Sequence, residues 1–117
     1  MAMSASALCL VHCLLLPVAI AFLPALAAWT DSGEVFHLVM LAIALPLSGG
    51  TLLLGWRRHG SIGPLVLGVP GLALLMLGLA FEGRVLGTAL TVAGGVALAI
   101  AHVCNLRATN LARLAAR

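Results

Sequence analysis

Lysine and tyrosine are absent from this 117-residue chain, and only three of its residues are acidic. The missing lysines leave arginine as the sole carrier of fixed positive charge. The missing tyrosines, together with the lack of a Ser-His-Asp set, of carboxylate pairs inside the apolar segments and of a Gly-rich phosphate loop, remove the usual equipment for hydrolysis, phosphoryl transfer and hydride chemistry. No enzyme activity and no organic cofactor are expected. Charge is scarce as well, at 8% of residues against 63% hydrophobic. That balance excludes an ordinary soluble domain and leaves no stretch for a nucleic-acid partner.

The few charges are segregated. Asp, Glu and Arg are absent from residues 1–30, 35–56, 59–81 and 85–106, and each window exceeds the ~20 residues a helix needs to cross a bilayer. A charge at the centre of a spanning helix costs about 2.5–3.5 kcal/mol on the insertion scale, so charges confined to the gaps are the pattern that serial insertion leaves. The spacing predicts an all-α membrane protein, a single domain over 1–117, with four transmembrane helices at about 5–28, 34–55, 62–81 and 86–106. The connections are so short that an antiparallel bundle is the expected packing. The segment "LPALAAW" at 23–29 has the small residues of a signal-peptide end, but "MAMSAS" gives no basic flank, and the first segment is read as a retained span.

Arginine sets the expected orientation. Arg57 and Arg58 lie between the second and third spans, and Arg107, Arg113 and Arg117 follow the fourth. Only Arg84 lies on the other side, beside Asp31, Glu34 and Glu82. By the positive-inside rule both termini and the "WRRHGS" loop are cytoplasmic. The basic tail 107–117 reads either as topology signal or as a short interfacial helix with Leu111 and Leu114 on one side.

Inside this apolar frame the first span carries "CLVHC". Positions 9, 12 and 13 are spaced i, i+3, i+4, which puts Cys9, His12 and Cys13 on one helical face. Neighbouring Cβ atoms at that spacing are about 5–6 Å apart, too far for a relaxed disulfide yet suited to closing on one ion. Thiolate and imidazole select soft or borderline ions, Hg(II), Zn(II) or Cu, over Mg or Ca. A buried cysteine is commonly a small hydrophobe only, but an ionisable histidine beside the pair inside a membrane marks a functional site. In the fourth span His102 heads a small-residue stripe through Ala99, Gly95, Thr91 and Gly87 and is expected to face the bundle. Asn105, at i+3, is placed to support its ring, whereas Cys104 projects elsewhere. In the second span Glu34, His37, Met40, Ala44, Ser48 and Thr51 share a face. His37 lies near the outer end, about 15 Å in depth from the cysteines, as a second metal station with Glu34 at its mouth. His59, in the basic loop, is read as solvated. Glycines 49, 50, 68 and 71 are read as exposed small residues able to support a homodimer.

"CLVHCLLLP" in the first span, "EVFHL" opening the second, the short basic loop, and "AHVCN" near the end of the fourth resemble the MerC-type mercury-resistance membrane proteins. The resemblance implies a multi-pass protein of the bacterial inner membrane that carries Hg(II) inward toward a cytoplasmic metal acceptor. It also implies that Cys9 and Cys13 are the intramembrane cysteine pair, with His12, His37, His102 and Asn105 at positions of a histidine-containing branch. Two other readings stay open. One is a Zn(II)- or Cu-binding sensor with a closed site at Cys9, His12, Cys13 and His102, and the other is an accessory subunit whose polar residues only join helices. The orientation is tested with a reporter active only in the cytoplasm. It should work when fused after Arg117 or inserted in the Arg57–Ser61 loop and fail at Gly83, and the reverse pattern overturns the topology.

Overall fold

A computed structural model of the chain describes Val11, Leu15 and residues 33–117, with side chains from residue 38 onward apart from those two. The expected first span, 5–28, lies outside the described residues except for Val11 and Leu15, which are helical and exposed. The described chain is helical and holds no strand. Helix α1 is Gly33–His59, α2 is Gly63–Ala80 and α3 is Val85–Ala115. All three are long and apolar enough to cross a membrane. They match the second, third and fourth expected spans, with ends shifted by one to four residues except at the end of α3.

The ends follow from backbone chemistry. Gly60 adopts φ 73° and its N–H bonds Trp56 O at 2.8 Å, so the chain leaves α1 through a left-handed position that glycine occupies without strain. Pro64 sits in the first turn of α2, where a missing N–H costs nothing. Past Arg107 no glycine or proline stops α3, and the expected tail becomes a direct continuation of the helix to Ala115. At about 1.5 Å per residue this helix is ~46 Å long, well beyond a ~30 Å hydrocarbon layer. Arg107 and Arg113 stand exposed on the continuation.

Most large apolar side chains point outward. Leu38, Val39, Ile43, Leu47, Val66, Val69, Val92 and Val96 are all exposed, an arrangement that water would penalise and lipid accepts. The interior is small, built on Leu52, Leu98 and Ala101 with Leu65, Leu72 and Leu75 packed against them. With so little apolar surface to hide, helix association depends on close backbone contact.

That contact is made by glycine. Gly71 and Gly78 of α2 meet Gly94 and Gly87 of α3 in antiparallel register. A Cβ on Gly94 would lie 2.7 Å from Gly71 O and 2.9 Å from Leu75 N, and one on Gly71 would lie 3.0 Å from Leu98 N. A Cβ on Gly78 would lie 3.1 Å from Gly87 O. Gly68 also faces inward, against Leu52. Gly68 and Gly71, read from sequence as exposed, are thus spent within the chain. Gly49 and Gly50 have open space where a Cβ would be.

Gly94→Ala should therefore destabilise the protein in detergent by about 1–3 kcal/mol, because backbone on the opposite helix cannot move aside as a side chain can. Gly95→Ala, one residue along, meets nothing within 4 Å and should be neutral or stabilising by up to about 1 kcal/mol. Thermal unfolding of both variants checks the pair, and equal midpoints would refute the glycine contact.

Candidate functional site

The polar residues of α1 and α3 converge on a single seam. On α1 the positions Ser48, Thr51, Gly55 and His59 follow the i, i+3, i+7, i+11 rhythm of one face, and on α3 Leu98, His102, Asn105 and Thr109 share a face at i, i+4, i+7, i+11. Ser48, Thr51, His102, Asn105 and Thr109 are all buried. Polar groups hidden from both water and lipid need partners. Thr51 Oγ1 donates to Leu47 O at 2.6 Å and Thr109 Oγ1 to Asn105 O at 2.8 Å, each hydroxyl turned back onto its own helix.

Side-chain contacts cross the seam. His102 Nε2 lies 3.3 Å from Ser48 Oγ, and both residues have no exposed surface. Toward the basic end, His59 Nε2 lies 2.9 Å from Asn105 Oδ1. Ser61 N–H donates to His59 Nδ1 at 3.1 Å, so the ring proton of neutral His59 is on Nε2 and is donated to the amide oxygen. The Asn105 amide occupies the space over Gly55, where any Cβ would collide with it. Side chains in a helix lean toward its N-terminus, and so His59 reaches back one turn to cover that notch.

Several expected positions are thereby located. His102 faces the bundle as expected, fully buried, although of the expected stripe it is Gly87 and Thr91, with Gly94 beside them, that meet α2, and Gly95 has open space beside it. Asn105 is buried as well and is joined to His59. His59 itself is the last residue of α1, half-buried and bonded on both ring nitrogens, not a solvated loop residue. Cys104 is a half-buried free thiol. The predicted α1 face holds where it is described, with Met40 and Ala44 half-buried and Ser48 and Thr51 buried. Glu34 and His37 lie on the α1 backbone, and their side chains are outside the described residues, as are Cys9, His12 and Cys13 altogether.

Among the described residues no three His, Cys, Asp or Glu side chains come together to hold a metal ion. What α1 and α3 supply is one fully buried imidazole, His102, whose Nδ1 has no hydrogen-bond partner among the described residues. Sequence reasoning missed two members of the seam, Ser48 as the partner of His102 and His59 as the partner of Asn105. Extending the Glu34–Thr51 face by two further turns, through Gly55 to His59, was the available signal.

Apolar helices with an outward hydrophobic surface and a buried polar seam define an all-helical membrane protein. Comparison with known families narrows the class. The family described as MerC mercury resistance protein matches residues 1–107, and the chain belongs to that family. No curated protein and no solved structure is significantly similar to it.

The His59–Asn105 contact generates its own test. Asn105→Ala removes the acceptor of His59 Nε2–H and should cost about 1 kcal/mol, the ordinary worth of a hydrogen bond between membrane helices. Gly55→Ala should act in the same direction by forcing the amide out of its notch, whereas Gly49→Ala should not. Unfolding midpoints in detergent read the three variants, and an unaffected Gly55→Ala would contradict the packing of Asn105 on α1.

Proposed function

We propose that the chain carries Hg(II) across the bacterial inner membrane toward a cytoplasmic acceptor, taking the ion on the thiolates of Cys9 and Cys13. The observation that carries this reading is the family match, which spans the "CLVHC" segment. Ligand chemistry agrees with it, since two thiols and an imidazole at i, i+3, i+4 suit a soft cation. Val11, helical and exposed, falls on a helical wheel on the side away from positions 9, 12 and 13. His12 stands in the same turn as the thiols, and His102 is the buried imidazole available from α3. Glu34 and His37, at the start of α1, form the outer station where the ion is first taken up.

The chemistry balances simply. Two neutral thiols bind one Hg(II) as a bis-thiolate and release two protons, so the divalent charge is cancelled before the ion is deep in lipid. Uncharged cargo crosses a low-dielectric layer that a bare cation cannot. The histidine between the cysteines widens the range of ions. Cys9, His12, Cys13 and His102 together form a Cys₂His₂ set of the kind that closes around Zn(II), which keeps Zn(II) binding, or Cu binding, as a second reading favoured by that histidine.

Cys9→Ser and Cys13→Ser should each lower Hg(II) affinity of the purified protein by at least ~10–100-fold, because neither water nor lipid replaces a thiolate. Metal addition in weak buffer should release about two protons per ion, with affinity rising between pH ~5 and ~8. His37→Ala should leave equilibrium binding at the cysteines intact and slow uptake into vesicles, the behaviour of a separate outer station. Unchanged binding in both cysteine variants would sink the thiolate site.

A further inference from the structure

The two imidazoles of the seam, half-buried His59 and fully buried His102, are satisfied differently. His59 has both ring nitrogens engaged, Nδ1 by Ser61 N–H and Nε2 by Asn105 Oδ1. It is a clasp between α1 and α3 and has no nitrogen to offer. His102 has one nitrogen engaged. Its Nε2 lies 3.3 Å from Ser48 Oγ, while Nδ1 is buried with no hydrogen-bond partner among the described residues.

We infer that Ser48 is the positioning residue that presents His102 to the cargo ion, and that His102 binds a soft or borderline divalent cation through Nδ1. The inference rests on the metal-transport reading above and adds to it an atom and an orienting partner. The ring proton has two places to be. On Nδ1 it would be a buried donor without an acceptor, at a cost of about 1–3 kcal/mol. On Nε2 it is donated to Ser48 Oγ, and Nδ1 keeps its lone pair. A ligating histidine characteristically does the same, giving its second ring N–H to an oxygen that fixes both tautomer and ring plane. The nearby hydroxyl of Thr51 is committed to Leu47 O and does not compete for the ring. Leu52 and Leu98, both fully buried, pack the same seam and keep water from hydrating the lone pair. Ser48 thus couples α1 to the ligand on α3 without touching the ion.

The test uses the full chain in nanodiscs, labelled with ¹⁵N-histidine and titrated with Hg(II) and separately with Zn(II). Metal-free His102 should show the Nε2–H tautomer, and metal should shift its Nδ1 resonance while leaving both His59 nitrogens in place. Ser48→Ala should mix the tautomers and weaken binding by ~10–100-fold, and Ser48→Thr, which restores a hydroxyl, should recover most of the loss. A purely structural role for Ser48 would leave the tautomer populations unmoved. Cys9→Ser and Cys13→Ser, measured alongside, separate the two levels of the argument. If they lose binding while Ser48→Ala binds like wild type and the His102 Nδ1 resonance stays still, the inference is wrong and the thiolate site stands. If they bind like wild type, the transport reading falls and the inference falls with it.

Discussion

The backbone approach of α2 to α3 is the constraint on which the remaining geometry depends. In lipid the hydrophobic effect does not drive helices together, because a leucine is as well solvated by acyl chains as by another leucine. Attraction has to come from surfaces that fit, and Gly71 against Gly94 with Gly78 against Gly87 brings carbonyls and amides of the two helices to a distance any side chain would prevent. The tight turn between them, with Gly83 at φ 79°, keeps the pair in register. With α3 so fixed, His102 and Asn105 are carried to the side that α1 must cover.

The α1 helix is held by different means. Fewer of its residues approach another backbone, and its attachment to α3 is made of polar side chains that would be costly to leave facing lipid. Ser48 meets His102, and Asn105 meets His59 over Gly55. These contacts are directional where the glycine packing is steric. They fix how α1 is rotated about its own axis, and that rotation also decides where the face carrying His37 and Glu34 begins.

Much of this was legible in the sequence because insertion into a membrane acts on charge, which is easy to read. The gaps between Glu34, Arg57, Glu82 and Arg107 located the three described spans to within a few residues. The ends of the helices were less legible, since hydropathy marks where lipid stops and not where the hydrogen-bond ladder stops. For that reason His59 belongs to α1 and α3 runs on to Ala115. Side-chain facing was harder still. Lipid-facing and protein-facing positions are both apolar, so nothing in hydropathy distinguished buried Gly68 and Gly71 from open Gly49 and Gly50. His102 was placed correctly because a histidine has no good alternative to facing the protein interior. Its partner Ser48 stood on the expected polar face, but only coordinates could match one to the other.

The contrast between the two kinds of helix contact divides the molecule mechanically. The α2–α3 pair is interlocked backbone against backbone along Gly71, Gly78, Gly87 and Gly94. The α1 helix is joined to that body by Leu52 packed against Gly68 and by hydrogen bonds each worth on the order of 1 kcal/mol between membrane helices. Side chains can exchange partners at such a joint more readily than backbone locked against backbone can. The carrier role proposed above needs one part that stays and another that yields, and the helix suited to yield is the one that bears Glu34 and His37 at one end and Arg57 and Arg58 at the other.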